Sequence, residues 1–225
     1  MTNRTLVVSI DALITADIPV LKQLPNLGRV MEHASWITDI ECIYPTLTYP
    51  CHATIATGCW PDRTGINNNE IPDFFAKGRM DWYWWREAIQ VPTVVDFARQ
   101  AGLTASTVTW PVMCASGAEY NIGEIWAPRE EDDPTPWFTR ANSPAVAKIF
   151  EANKHMLRWM KTPQMDEFAA KCAADIIRAH RPDLMLLHLS YVDHQRHRLG
   201  VHGDLEHAFR FIDGQMGLVL DALEE

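Results

Sequence analysis

The sequence has no Cys-x-x-Cys pair, no internal repeat, no apolar run long enough to cross a membrane and no surplus of positive charge. The five cysteines stand at 42, 51, 59, 114 and 172. An odd count without close pairing argues against a disulfide framework or a structural zinc site, and predicts reduced thiols in a cytoplasmic protein. The 20 Lys and Arg residues against 29 Asp and Glu give a net charge of −9. That balance argues against binding a nucleic-acid polymer. An acidic enzyme still takes an anionic substrate where metal ions supply local positive charge. No signal peptide is visible, because the apolar run Leu6 to Ile10 leads straight into Asp11. No stretch predicts a membrane span. What is present is an ordinary globular mixture of 225 residues, enough for one sizeable core, with nine Trp.

The stretch from Tyr44 to Gly58 is central. Pro50 suits the first turn of a helix, and Thr48 precedes it, where a hydroxyl caps free N–H groups. Gly58 is placed to close that helix in a left-handed conformation. A hydroxyl at a helix N-terminus faces unpaired donors and the positive end of the dipole, a natural place for a phosphate. The same residues also read as a capped surface helix with no chemistry.

Around that stretch the chain alternates strands and helices, which predicts an α/β fold. Residues 5–10 form a β-branched apolar run, a buried parallel strand ended by Asp11. Ligands gather at the carboxyl ends of such strands, so Asp11 is a candidate metal ligand or acid–base group; it also reads as a turn cap. Helical spacing of Leu21, Leu24, Leu27, Val30 and Met31 predicts a helix over 19–33, and alternation over 36–43 predicts a second strand leading to Thr48. Residues 59–80 read as a loop. In it Asn67, Asn68 and Asn69 are a turn, or one amide donates to a phosphate oxygen. The aromatic run Trp82, Tyr83, Trp84 and Trp85 stacks a base, lines a pocket rim or packs as a buried lid.

A helix over 92–101 and a strand over 103–110 follow. Residues 111–145, with several prolines and the acidic run Glu130 to Asp133, read as an irregular insertion on the substrate side. Helices over 145–160 and 164–180 lead to a buried strand at 184–189, and a helix over 204–225 ends the chain. Beyond that last strand, Asp193 and His197 are four residues apart. On a helical turn both lie on one face and can hold one metal ion. A carboxylate with an imidazole suits zinc, with manganese or iron as further candidates. The pair also reads as an exposed polar turn.

Together these pieces resemble the type I phosphodiesterase/nucleotide pyrophosphatase family of the alkaline phosphatase superfamily. The resemblance rests on Ile10-Asp11, on Pro45-Thr46-Leu47-Thr48-Tyr49-Pro50, and on Ala56-Thr57-Gly58 with Pro61, Gly65-Ile66 and Asn69. It continues from Pro92-Thr93-Val94-Val95 through Gln100-Ala101-Gly102-Leu103 to Thr109-Trp110-Pro111, and ends on Asp193-x-x-x-His197. It implies a mostly parallel sheet with helices on both faces. It implies a hydrolase that cleaves phosphodiester or pyrophosphate bonds in a small phosphate ester through a phosphothreonine intermediate on Thr48. It also implies two divalent ions, zinc first and manganese second, one on Asp11 and Thr48 and the other on Asp193 and His197. Asn69 and the backbone N–H of Tyr49 would hold the non-bridging oxygens. The physics agrees, since a threonine hydroxyl is a poor nucleophile near neutral pH without a metal's help.

Alternatives within the superfamily are a phosphomonoesterase or a phosphonate hydrolase, with Thr46 as the other candidate hydroxyl. The non-enzymatic alternative is a degenerate binding module. The sequence departs from the family pattern at Cys51, where members usually carry Asn, and at Gln195-Arg196, where small residues and Gly usually precede the histidine. The family completes its metal sites with an Asp-His pair and a later His, downstream of the last predicted helix. The expectation is therefore that residues 1–225 are the N-terminal part of a longer single catalytic domain, truncated at the C-terminus, which alone binds zinc weakly and turns over little.

Overall fold

A computed structural model describes residues 4–38, 40–71, 81–126, 135–157 and 162–225. In chain order its strands are β1 (Thr5–Ile10), β2 (Glu70–Ile71), β3 (Asp81–Trp82), β4 (Ala105–Val108), β5 (Tyr120–Ile122) and β6 (Leu184–Leu189). Four of them form one sheet in the order β1-β6-β4-β5, all parallel, while β2 and β3 form a small antiparallel pair. The helices are α1 (Ile18–Leu21), α2 (Pro25–Glu32), α3 (Thr48–Thr57), α4 (Pro61–Thr64), α5 (Val94–Gln100), α6 (Thr135–Ala141), α7 (Ala147–Asn153), α8 (Gln164–His180), α9 (Tyr191–Leu199) and α10 (Glu206–Glu224).

β6 is central and buried at all six positions, as a parallel strand covered on both faces must be. β1 pairs with it residue for residue, from Thr5 opposite Leu184 to Ile10 opposite Leu189. This register brings the residues that follow Ile10 and Leu189 to the same end of the sheet. Helix α8 packs on β6, β4 and α10, and α10 also packs on α2, while α5 packs on β4 and α3. The inward face of α8 is rich in alanine, which lets its backbone approach the sheet closely. Phe168 of α8 meets Phe138 and Phe150 edge to face, and those two stack on each other, with ring centroids 5.1 to 6.1 Å apart. Burying a phenylalanine such as Phe168 contributes about 2–3 kcal/mol.

Three expectations are corrected. The helix expected over 19–33 is two helices, because Pro25 forces Leu24 into an extended conformation between them. The strand expected over 36–43 does not form among the described residues, where Ile37 is 78% and Ile40 is 74% exposed. Alternation supplies two faces but no partner, and without a neighbour's hydrogen bonds there is no strand. The supposed irregular insertion at 111–145 contains β5, a full member of the parallel sheet, and α6. Its acidic run, Glu130 to Asp133, lies outside the described residues, as do parts of the expected loop at 59–80 and helix at 145–160.

Helix capping explains how the site is held. α5 is capped locally: the Thr93 hydroxyl accepts the Asp96 N–H, and the Asp96 carboxylate accepts the Thr93 N–H. Three other helices are capped from afar. Asp213 of α10 accepts the N–H groups of Asn26 and Leu27 in α2. Asn69 accepts from α3, and Asp166 of α8 accepts from the start of α9. Each remote cap satisfies orphan donors and also fixes one helix against another element.

Candidate active site

The carboxyl ends of β1 and β6 open on a cleft of about 380 Å³ whose lining includes Asp11, Thr48, Asn69, Asp193 and His197. Its lining also includes Glu124 and His188. A larger depression of about 570 Å³ lies at the opposite end of the strands, beside Arg4, Arg181 and Glu225. It holds none of the candidate residues, and ligands of open α/β sheets bind at the carboxyl end.

His188 organises one side of the cleft. It is the single polar residue of β6 and is buried. Its Nε2 lies 3.4 Å from Asp11 Oδ2, and its Nδ1 lies 3.2 Å from Glu124 Oε1 and 3.1 Å from the Thr109 carbonyl. Burial alone would strip its proton, but the hydrogen bonds and charges of Asp11 and Glu124 outweigh that and raise its pKa to about 10. His188 is therefore a buried cation between two carboxylates. Burial likewise pushes Asp11 up, yet His188, His52 and a hydrogen bond from the Thr48 hydroxyl bring it down to about 2. The Tyr49 hydroxyl donates to Glu124 Oε2 at 2.8 Å, so the second carboxylate is also held.

His52 packs with its ring centroid 4.5 Å from that of His188. Burial and the His188 charge lower its pKa to about 4, so it is neutral. Its Nδ1 faces the Thr48 carbonyl at 2.7 Å and must donate there; its Nε2, 2.9 Å from Ser9 Oγ, then accepts the serine hydroxyl. The imidazole thus pins the backbone of Thr48 from inside α3. Ala12 and Thr109, the residues just beyond Asp11 and β4, have φ of 61° and 49°. Left-handed backbone at non-glycine residues costs energy and is typical of functional sites.

Thr48 does not cap α3 as expected. It is the first residue of that helix, Leu47 takes the extended cap position without a side-chain bond, and Thr48 lines the cleft with Asp11. The cap comes from Asn69, whose Oδ1 accepts the Tyr49 N–H at 2.9 Å. The cradle expected from Asn69 and the Tyr49 N–H is thus closed on itself, and the amide Nδ2 of Asn69 is the remaining donor group. Pro50 lies in the first turn, and Gly58, at φ 66°, closes the helix as expected.

The other side of the cleft is the helix α9. Asp193 and His197 share one face, with His197 Nε2 3.4 Å from Asp193 Oδ2. The Asp193 side chain is 29% exposed and that of His197 78%. Burial and the negative charge of Asp11 raise the pKa of Asp193. Asp166, itself buried, anchors the start of α9 by accepting the N–H of Ser190 at 3.0 Å and of Tyr191 at 2.8 Å. Arg196 ties α9 to the segment after β1: its Nε donates to the Ala12 carbonyl at 2.7 Å, and its guanidinium pairs with buried Asp17. The residues that depart from the family pattern, Gln195 and Arg196, are both buried; Arg196 links the two sides, while Gln195 Oε1 lies 3.3 Å from His207 Nε2 of α10.

Among the described residues, no three His, Cys, Asp or Glu side chains are grouped to hold a metal ion. The candidate ligands stand as two pairs, Asp11 with Thr48 and Asp193 with His197. In kind they fit divalent cations: carboxylates, a hydroxyl and an imidazole. The mutual repulsion of Asp11 and Asp193 across the cleft marks a place where positive charge is favourable. Of the aromatic run, Trp82 lines the cleft and packs on Tyr49 at 5.3 Å. Trp84 is buried against Trp137, and Trp85 lies under the Arg140 guanidinium at 4.0 Å. The second cleft tryptophan is Trp126.

Sequence reasoning missed His188, Glu124, His52, Asp166 and Arg196. For His188 a signal existed, a lone polar residue inside a continuous apolar run.

The architecture and the placement of the cleft define the class first, an alkaline-phosphatase-like α/β fold. Phosphonoacetate hydrolase from Sinorhizobium meliloti 1021, solved with phosphonoacetate, superposes with a TM-score of 0.67 at 17% identity, covering 99% of this chain and 54% of that one. Murine ectonucleotide pyrophosphatase/phosphodiesterase 5 gives 0.65 at 16% identity, covering 99% and 52%; an inactive variant of it was solved in complex with AMP. At these identities the likeness is one of fold.

The chain belongs to the type I phosphodiesterase/nucleotide pyrophosphatase family, whose model matches residues 5–225. Venom phosphodiesterase 2 of Crotalus adamanteus is 25% identical over 213 residues, covering 90% of this chain and 22% of that protein. Human ectonucleotide pyrophosphatase/phosphodiesterase family member 1 is 24% identical over 219 residues, covering 90% and 19%. The chain spans about a fifth of the length of these curated relatives and about half of the solved chains.

Proposed function

We propose that the chain carries the nucleophile side of a divalent-metal-dependent hydrolase of phosphodiester or pyrophosphate bonds in small organic phosphates. The observation that carries this reading is the convergence of Asp11, Thr48, Asn69, Asp193 and His197 on one cleft at the carboxyl ends of β1 and β6. Membership of the family supports the bond type. Residues 1–225 then form part of a single catalytic domain, and a cytoplasmic location rests on the odd cysteine count without close pairing.

Thr48 Oγ attacks phosphorus, its bond to phosphorus forming as the bond to the leaving oxygen breaks. Asp11 stands beside Thr48 in the cleft lining, and the nearby hydroxyl helps to hold its pKa down. With a pKa of about 2, Asp11 is too weak a base to take that proton unaided. Divalent ions held on Asp11 with Thr48 and on Asp193 with His197, zinc before manganese, would acidify the hydroxyl, whose proton leaves to solvent, and would offset the charge that develops. The Asn69 amide donates to a non-bridging oxygen. Trp82 and Trp126 present aromatic walls to the organic group. Water then cleaves the ester on Thr48 and restores its hydroxyl.

The second reading is phosphonate hydrolysis, favoured by the fold neighbour solved with phosphonoacetate. Turnover of a nitrophenyl phosphodiester, the corresponding monoester and phosphonoacetate, each with zinc, separates the readings. The diester is expected to be the fastest. Preference for phosphonoacetate or the monoester would move the assignment within the superfamily, and absence of zinc binding together with absence of even low turnover on all three would favour a binding module.

A further inference from the structure

Cys42 and Cys51 bracket the segment that carries Thr48, and their sulfurs lie 3.4 Å apart. A disulfide requires about 2.05 Å, so a further approach of roughly 1.4 Å joins them. Cys51 sits in the first turns of α3, its N–H bonded to the Leu47 carbonyl at 3.0 Å, and is half-buried. Cys42 is exposed and lies in chain without regular structure. The movement therefore falls on Cys42, and Thr48, held by His52 and α3, stays in place. The other thiols are placed differently: Cys114 and Cys172 are buried, and Cys114 is engaged with the Glu124 carbonyl at 3.2 Å.

We propose that Cys42 and Cys51 form a reversible dithiol–disulfide pair, a modification site that staples the segment 43–47 to the start of α3. The oxidant is a small-molecule disulfide such as oxidised glutathione. The exposed Cys42 thiolate attacks one of its sulfurs, forming a mixed disulfide and releasing one glutathione thiolate. Cys51 gives its proton to solvent and attacks the Cys42 sulfur, releasing the second glutathione. Two protein thiols are oxidised and one glutathione disulfide is reduced to two thiols. The pair closes a short loop, so its stabilisation comes from the smaller freedom of the unfolded chain.

The test uses the reduced chain, treated with oxidised glutathione, then alkylated and mapped by peptide mass spectrometry. The expected result is a Cys42–Cys51 linked peptide, loss of two alkylatable thiols, and a melting temperature higher by roughly 5 °C. Dithiothreitol should reverse all three changes. Cys42→Ser, a change at an exposed site, should form no link and show no rise in melting temperature, and Cys51→Ser should form no link. A glutathione adduct persisting on Cys42, a link involving Cys59, or an unchanged thiol count would overturn the proposal. A link that forms without any rise in melting temperature would overturn the staple. None of these readings depends on phosphoester hydrolysis, so their failure is distinct from failure of the proposed activity.

Discussion

The two sides of the cleft are built by opposite means. Around Asp11 and Thr48 almost every polar group is already engaged within the chain: His188 between Asp11 and Glu124, His52 on the Thr48 carbonyl, Asn69 on the Tyr49 N–H. Around Asp193 and His197 the helix is anchored from behind by Asp166 and Arg196, while its functional face is open and the His197 side chain is 78% exposed. The difference separates two requirements. A nucleophile needs its oxygen aimed before the substrate arrives, and burying charges to do so is tolerable only when each is paired. A ligand pair at a cleft mouth can stay solvated, and an exposed contact of that kind contributes little to stability.

The sharpest way to break this contrast is to remove the central cation. His188→Leu leaves two carboxylates facing each other in the interior, and denaturant unfolding should show a loss of about 3–5 kcal/mol. A loss below about 1 kcal/mol would mean that the network is not what holds the Asp11 side together.

The anchor of α9 offers a pH test. Burial raises the pKa of Asp166 from 3.8 to about 6, against the hydrogen bonds from Ser190 and Tyr191. A carboxyl whose folded pKa is raised holds its proton longer when folded, so its contribution is full below about pH 4 and is lost as pH rises through 6. Asp166→Asn should abolish that slope, so the variant gains about 3 kcal/mol relative to wild type between pH 4 and pH 7. Unfolding curves at the two pH values measure it, and a difference that does not change with pH would contradict it.

The smallest expected effect is on the open side. His197→Ala should leave stability within about 0.5 kcal/mol of wild type yet weaken zinc binding roughly tenfold in calorimetric titration. A large loss of stability with unchanged zinc affinity would reverse the roles assigned to the two sides.

The same division runs through what the sequence made legible. β1 and β6 were read at their exact bounds, because buried parallel strands are continuous apolar runs. The Asp193/His197 pair was legible because a helix puts residues four apart on one face, and α5 because its capping box is local. The supports of the site were not legible, because their partners are remote. Asn69 caps α3 from 20 residues away, Asp166 reaches α9 across 25, and Asp213 reaches α2 across 187. No local pattern announces such bonds. Glu124 sits just beyond β5, in a stretch that carries no clear period, so the second carboxylate on His188 was invisible. The alternating run at 36–43 misled for the complementary reason, since strand formation depends on a neighbour that the run itself does not contain.

If Thr48 is the nucleophile, its ester can be trapped. The chain is mixed with an aryl phosphodiester and zinc, quenched in acid and mapped by peptide mass spectrometry. A phosphoryl ester is expected on Thr48 that persists in Thr46→Ala and vanishes in Thr48→Ala, together with loss of the low turnover of residues 1–225 in the latter. An ester on Thr46, or undiminished turnover in Thr48→Ala, would contradict it.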